Sequence, residues 1–194
     1  GPLKVTQGEP VKSTTEAFIL RDADHLYVGV SCAGKGAVSG EVKPGKPSQA
    51  AECVELLIDS NGDRNSYYLI RLTPENGGKV ACSYHEHTPP WCDLTWQPQF
   101  KFAAANGAAV WAAEFALPFN IFNKNRTLAA EIGFNIRRTG MSGHETHCWQ
   151  GMFTNPGDWG MLAGIPARES VMGPDYAQLD WLYRPPPFTR RSFL

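Results

Sequence analysis

Hydrophobic and polar residues alternate wherever this 194-residue chain shows a readable pattern. Period-two alternation is typical of β-strands, and no window shows a helical stripe of more than about two turns. The alternating segments predict strands at residues 17–20, 26–32, 53–59, 66–72, 79–84, 99–104, 110–117, 132–138 and 146–153. Turn residues separate these segments, and Asn106-Gly107 is a strong hairpin signal. Many short strands with turns roughly every 8 to 12 residues predict an all-β antiparallel β-sandwich.

The chain is long enough for one globular domain, and 42% of its residues are hydrophobic. Residues 1–10, which begin with Gly1-Pro2, are predicted to be a tag remnant and lead-in of a fragment from a longer protein. The sandwich is expected over residues 11–168. Residues 33–50 show no periodicity and predict a long loop. Residues 169–194 are Pro-rich and irregular, which predicts a C-terminal extension or linker.

The formal net charge of −1 excludes the basic character that nucleic-acid binding requires, so nucleic acid is not an expected partner. No apolar run approaches the roughly 18 to 20 residues that span a bilayer, so no membrane association is expected either. Five cysteines favour an oxidising compartment and disulfide bonds. We therefore expect a secreted or extracellular protein, with the periplasm as an alternative, and a disulfide between Cys82 and Cys92, which flank one loop.

Glu55 interrupts the apolar run of residues 53–59. Because side chains alternate along a strand, Val54 and Leu56 are predicted to face the core while Glu55 faces away from it. If the hairpin closes through residues 61–65, Glu55 lies directly opposite Arg71, and opposed residues share a face. Such a pair can hydrogen-bond sugar hydroxyls. The alternative is a cross-strand salt bridge of roughly 0.2 to 1 kcal/mol that has no ligand.

Five sequence blocks carry a resemblance to a known family. They are Asp24-His25-Leu26-Tyr27-Val28-Gly29-Val30, Val54-Glu55-Leu56-Leu57-Ile58-Asp59 followed by Tyr67-Tyr68, Trp111-Ala112-Ala113-Glu114-Phe115-Ala116-Leu117-Pro118-Phe119, Ile132-Gly133-Phe134-Asn135-Ile136-Arg137-Arg138, and Trp149 with Asn155-Pro156 leading to Trp159-Gly160-Met161-Leu162. In this order they cover most of residues 17–165, and the chain resembles the family 9 carbohydrate-binding modules. The resemblance implies a jelly-roll-like sandwich that recognises sugar without catalysis, often with bound calcium.

The resemblance also implies a set of sugar-binding residues. Glu55 and Arg71 match the sugar-contacting acid and arginine of the family, and Phe153 is the ring available at one of two aromatic clamp positions. At the other clamp position, where the family has Trp, this chain has Ser48-Gln49-Ala50. Trp91, in a Pro-flanked loop, is a candidate replacement. Asn135 and Asn155 are expected to contribute hydrogen bonds.

The turn that follows the predicted strand of residues 53–59 has oxygen-bearing side chains at alternate positions, at Asp59, Asn61 and Asp63. Gly62 lies between the last two. Carboxylate and amide oxygens suit calcium, so this turn is a candidate calcium site. Asp22 and Asp24 form an alternative acidic turn. Turns rich in Asp and Asn most often serve only as turns.

Two histidine clusters and a pair of glutamates suggest other chemistries. His85 and His87, with His144, His147 and Cys148, form two clusters suited to zinc or copper, but neither spacing matches a structural zinc pattern. Met141 and Met152 beside the second cluster leave a haem-binding electron-transfer domain as an alternative. Glu55 and Glu114 could be posed as a glycosidase pair, although Glu114 fits an isolated surface residue better. No nucleophile elbow or phosphate loop is present, so no enzyme is expected.

The sequence thus favours a noncatalytic carbohydrate-binding module. Its expected partner is a polysaccharide or oligosaccharide, and its expected context is a secreted multidomain protein with a tethered catalytic domain. The main alternative is a structural or interaction β-sandwich that has lost sugar binding.

Overall fold

The computed structural model describes residues 4–7, 14–34, 52–124, 127–139, 146–151 and 155–169. Its strands are β1 (Lys4–Gln7), β2 (Thr15–Arg21), β3 (His25–Ala33), β4 (Cys53–Asp59), β5 (Ser66–Thr73), β6 (Lys79–Glu86), β7 (Trp91–Asp93), β8 (Lys101–Asn106), β9 (Val110–Pro118), β10 (Thr127–Leu128), β11 (Glu131–Thr139), β12 (Thr146–Cys148), β13 (Gly160–Ala163) and β14 (Arg168–Glu169). Three 3₁₀ helices complete the elements: η1 (Glu75–Gly77), η2 (Phe119–Ile121) and η3 (Pro156–Asp158). Within these ranges, no helix has the length and apolarity to cross a membrane.

Two antiparallel sheets form the sandwich, which confirms the predicted fold class. The larger sheet has the order β1-β12-β11-β4-β5-β6-β7, and β13 pairs with the first half of β11, on the edge where β12 pairs with the second half. The smaller sheet has the order β2-β3-β9-β8. Strands β10 and β14 form a separate two-stranded ribbon.

The observed strands follow the predicted alternation closely at the local hairpins. The turns at residues 61–65 and 106–107 join β4 to β5 and β8 to β9. Strand β1 lies inside the predicted lead-in and pairs with β12, so the larger sheet begins before residue 11. The predicted loop after residue 34 and the C-terminal extension after residue 169 lie outside the described residues.

The core lies between the sheets and is built from one face of each strand. Alternate residues of β4, β5 and β11 point inward, because successive side chains of a strand face opposite sides. The largest fully buried side chains include Trp111, Tyr68, Phe119, Phe122, Phe134, Leu56 and Ile58. The predicted inward positions Val54, Leu56 and Ile58 are confirmed.

A buried polar cluster joins the two sheets at one end of the sandwich. Arg138 donates through Nε to Glu52 Oε1 at 2.8 Å, through Nη1 to Thr15 Oγ1 at 3.1 Å and through Nη2 to the Ala33 carbonyl at 2.9 Å. The Thr15 hydroxyl also lies 2.8 Å from His147 Nδ1. Because Thr15 and Ala33 belong to the smaller sheet while Arg138 and His147 belong to the larger, this cluster fixes one sheet against the other.

The predicted disulfide between Cys82 and Cys92 is wrong, because both residues are free thiols, as are Cys32, Cys53 and Cys148. Cys92 lies opposite His85 in the β6–β7 pair. Cys82 is three residues from His85, so alternation places the two sulfurs on opposite faces, and their backbones are roughly 10 Å apart along the strand. A disulfide needs Cα atoms within about 7 Å. Burial raises the pKa of Cys82 to about 11, so it stays a neutral thiol.

Candidate functional site

The outer face of the larger sheet carries the predicted acid and arginine. Glu55 of β4 lies directly opposite Arg71 of β5, which confirms the predicted register. On its other side, Glu55 lies opposite Arg137 of β11. Directly opposed residues share a face, so the three side chains form one row across three strands. We call Arg71, Glu55 and Arg137 the arginine row.

Each oxygen of the Glu55 carboxylate accepts a hydrogen bond from a guanidinium group. Arg71 donates to Oε1 through Nε at 2.8 Å and through Nη2 at 2.5 Å, and Arg137 Nε donates to Oε2 at 2.5 Å. The exposed fraction of the side chain is 0% for Glu55, 38% for Arg71 and 26% for Arg137. Glu55 does face away from the core, but the two arginines cover it. The row therefore presents guanidinium donors to solvent, not the carboxylate that the sequence led us to expect there.

Arg71 keeps donors available for a ligand. Among the described residues, its Nη1 makes no hydrogen bond, while Nε and Nη2 are both engaged with Glu55. Burial lowers the pKa of Arg71, but the charge of Glu55 and the hydrogen bonds to it outweigh burial, so the pKa is raised overall. Arg71 is thus a fixed cation whose orientation is set before a ligand arrives.

The other half of this outer face is covered by a small apolar cluster. Leu57, Cys148 and Trp159 are buried there, with Tyr67 and Leu69 packed against them. The ring of Tyr67 stacks on His85 with centroids 4.9 Å apart and meets Trp159 in a T-shaped contact at 5.2 Å. We call this group the outer cluster. Its rings pack against one another, so they do not stand apart as a sugar clamp.

Trp91 does not lie beside the arginine row. It is exposed, as predicted, but it pairs with Glu86 on β6, and its ring meets Tyr84 edge-on with centroids 6.0 Å apart. Tyr84 pairs with the core residue Tyr68. Trp91 is therefore on the face opposite to Arg71, and it cannot complete a clamp there.

Both predicted asparagines hydrogen-bond to backbone groups of the chain. Asn135 is fully buried; its Nδ2 donates to the Gln150 carbonyl at 2.9 Å, and its Oδ1 accepts from the Gln150 N–H at 3.2 Å. It therefore holds the segment at residue 150 against β11. Asn155 is exposed and caps η3, with Oδ1 accepting from the Gly157 N–H at 3.3 Å. Phe153 and residues 48–50, the two predicted clamp positions, lie outside the described residues.

The three predicted calcium ligands are Asp59, Asn61 and Asp63. Asp59 accepts from the backbone N–H groups of Gly62 and Arg64, each at 2.8 Å, and burial raises its pKa. Asp63 accepts from the Ser66 N–H at 2.8 Å and from Asn61 Nδ2 at 2.8 Å. These oxygens hold the turn together, and the described part of the chain has no cluster of three or more His, Cys, Asp or Glu side chains that could hold a metal. Calcium at this turn stays a prediction.

The alternative acidic turn has the same character. Asp22 Oδ1 accepts from the N–H groups of Asp24 and His25, each at 2.7 Å, and Oδ2 accepts from the Tyr27 hydroxyl at 2.8 Å. These hydrogen bonds, led by the one from Asp24, lower the pKa of Asp22 to about 2. Asp22 is therefore an ionised cap of the β2–β3 turn.

The remaining candidates are not brought together. His85 lies on the outer face of β6, whereas His147 points into the polar cluster between the sheets. Glu114 is on the outer face of the smaller sheet, so the body of the sandwich separates it from Glu55. The haem candidates Met141, His144 and Met152 lie outside the described residues.

Sequence reasoning missed Arg137 as the second partner of Glu55. The two residues are 82 positions apart, and they meet only because β11 pairs with β4. The available signal was the pair Arg137-Arg138 in an alternating strand, since alternation sends one arginine to each face. Arg138 turns inward to Glu52, and Arg137 turns outward to Glu55.

No family model matches the sequence, and a search of curated proteins found no match. Solved structures do match. A family 9 carbohydrate-binding module from Caldicellulosiruptor kristjanssonii in complex with cellotriose is 13% identical with a TM-score of 0.57, over 89% of this chain and 87% of that one. The same organism's family 9 module in complex with glucose gives 14% identity, a TM-score of 0.56 and coverage of 89% and 88%.

A Bacteroides uniformis protein designated as carbohydrate-binding is 15% identical with a TM-score of 0.60, over 83% of this chain and 84% of that one. At identities this low, the structural similarity establishes a shared fold and nothing more. The expected likeness to family 9 carbohydrate-binding modules is confirmed at that level.

Proposed function

We propose that this chain is a noncatalytic carbohydrate-binding module and that saccharide binds at the arginine row. One observation carries the proposal: Glu55 holds two partly exposed guanidinium groups in fixed positions on an otherwise well-packed sheet face. Small-molecule sites rely on a few polar groups whose positions are set in advance. The shared fold with modules solved in complex with cellotriose and glucose supports the same reading.

Arg71 and Glu55 have different roles in the proposed site. Arg71 donates to ligand oxygens through Nη1, which is the donor nitrogen left over from its contact with Glu55. Glu55 is a positioning residue, since both of its oxygens are taken by arginines and its side chain is fully buried. A glutamate held in this way does not reach a substrate, which supports binding without hydrolysis.

Several parts of the proposal extend beyond the row. The ligand would be a polysaccharide or oligosaccharide, with Phe153 supplying a stacking ring. The parent would be a secreted protein in which this module is tethered to a catalytic domain. Calcium at the turn of Asp59, Asn61 and Asp63 remains a separate proposal, and saccharide binding at the arginine row does not depend on it.

Affinity gel electrophoresis over a panel of soluble polysaccharides tests the proposal. The parent chain is expected to be retarded by at least one polymer, and Arg71→Ala is expected to abolish the retardation. Arg21→Ala is the matched control, because Arg21 is an exposed arginine on the smaller sheet. Trp91→Ala should bind like the parent, since Trp91 is on the opposite face from the row.

Thermal melts of each variant show whether the fold is intact. If a folded Arg71→Ala variant is retarded as strongly as the parent, the proposed site is refuted. If no polymer retards the parent, the structural or interaction domain becomes the better interpretation.

A further inference from the structure

Positive charge extends beyond the arginine row on the same face. Arg71 pairs with Ala81, and Thr73 pairs with Lys79, so Lys79 is the diagonal neighbour of Arg71 on the outer face. Diagonal neighbours on one face of a sheet lie roughly 7 to 8 Å apart, within reach of long side chains. Arg137, Arg71 and Lys79 thus place three cations along one end of the sheet.

The carboxylates among these cations are less exposed than the cations. Glu55 is 0% exposed, and Glu75, whose Oε2 lies 3.6 Å from Lys79 Nζ, is 14% exposed. Lys79 itself is 68% exposed. These five described residues carry three positive and two negative charges, a net charge of +1, and the part of them that meets solvent is mainly positive. The formal charge of the whole chain is −1, so this end is a local feature.

The row also lacks an acceptor to match its donors. A neutral sugar hydroxyl both donates and accepts, and a site for it gains from groups of both kinds. The one carboxylate of the row has both oxygens bonded to guanidinium groups. A carboxylate or sulfate group only accepts, and guanidinium groups bind such anions with short, charge-assisted hydrogen bonds.

We propose that the saccharide recognised at the arginine row is acidic and carries a carboxylate or sulfate group that Arg71 binds, with Lys79 adding attraction. This inference rests on the proposed function and names the class of its ligand.

Three polymers with one backbone test it: hydroxyethylcellulose, carboxymethylcellulose and cellulose sulfate. Affinity gels of the full chain at about 0.05 M and 0.5 M salt are expected to show binding to one or both acidic polymers at least about tenfold tighter than to the neutral one. The preference should shrink at high salt, because exposed charges are screened. Comparison of the two acidic polymers tells whether carboxylate or sulfate is the recognised group.

A matched pair of lysine variants removes the effect of general charge. Lys79→Gln is expected to weaken binding to the acidic polymers severalfold and to leave hydroxyethylcellulose unchanged. Lys101→Gln removes the same charge from the outer face of the smaller sheet and should change neither. Both side chains are exposed, so both variants should fold.

The outcomes separate the two proposals. Equal or tighter binding of the neutral polymer overturns the acidic ligand and leaves the carbohydrate-binding function standing. An acidic preference that Lys101→Gln reduces as much as Lys79→Gln also overturns it, because the preference would then be a general charge effect. Absence of binding to all three polymers and to the wider panel overturns both.

Discussion

The outer faces of the two sheets follow the same alternation and differ sharply in what covers them. In β4, at the centre of the larger sheet, every residue is buried, including the outward Glu55 and Leu57. In β2, at the edge of the smaller sheet, the outward Phe18 and Leu20 are exposed. Burial is therefore set by position in the sheet and by cross-strand partners, and hydrophobicity alone does not predict it.

The outer face of the smaller sheet exposes large apolar side chains beside Lys101 and Glu114, whereas the exposed part of the arginine row is charged. Phe18, Leu20 and Tyr27 border a groove of about 360 Å³ with Gly29 and Ala116 among its lining residues. Glu55 is buried between two arginines, and Phe18 is exposed. Both nevertheless occupy outward positions on their strands. Substitutions at such equivalent positions should have unequal effects.

The largest contrast is expected between two aromatic residues. Trp159→Ala should lower the free energy of unfolding by about 3 to 5 kcal/mol, because Trp159 is buried in the outer cluster against Tyr67. Phe18→Ala should change it by no more than about 0.5 kcal/mol, because the Phe18 ring is exposed. Urea denaturation of both variants measures the difference. A larger loss for Phe18→Ala would mean that the smaller sheet's outer face is covered in solution.

The next contrast is between two glutamates. Glu55→Gln should destabilise the fold by about 1.5 to 3 kcal/mol, since the two partly exposed arginines lose their charged hydrogen-bond acceptor. Glu114→Gln, on the exposed face of the smaller sheet, should be close to neutral. Denaturation midpoints give both values, and equal small effects would show that the row adds nothing to stability.

A smaller free-energy change is expected in ligand binding. Arg71→Lys keeps the charge but loses the planar donor group, and it should weaken saccharide binding by at least about tenfold. Leu20→Ser on the smaller sheet should leave the affinity unchanged. Titration calorimetry with the polymer that the gels retain provides both constants. Loss of affinity in Leu20→Ser would move the site to the apolar groove.

The smallest effect concerns acid stability at the β2–β3 turn. The pKa of Asp22 is lowered from 3.8 to about 2, so its stabilising contribution is present above pH 3.8 and is lost as the pH falls towards 2. Asp22→Asn keeps the Oδ1 acceptor and removes the titration, so it should flatten the fall of the melting temperature in that range. An unchanged slope would show that Asp22 does not contribute to the acid sensitivity.

The sequence predicted those parts of the fold that depend on nearby residues. The pairing of Glu55 with Arg71 followed from strand alternation and a five-residue turn, and both are local properties. The placement of β11 beside β4 depends on pairing between distant segments, and no local pattern encodes it. Arg137 was missed for that reason.

Two predicted site residues, Trp91 and Asn135, have surroundings that strand alternation alone did not predict, for related reasons. The register of β7 on β6 decides on which face Trp91 lies. The four residues between those strands show no periodicity, so the sequence does not predict this register. Asn135 has an alternating position consistent with an outward side chain, but the backbone of Gln150 returns over it and takes up its amide. Contacts made by a returning segment are invisible to strand alternation.

The most direct test of saccharide binding at the arginine row is an NMR titration that follows the arginine Nε–Hε signals. Oligosaccharides cut from the most strongly retained polymer are added to the labelled full chain. The signals of Arg71 and Arg137 are predicted to shift in proportion to saturation, while the signal of Arg21 on the smaller sheet stays in place. Stationary Arg71 and Arg137 signals at saturating ligand would contradict the account.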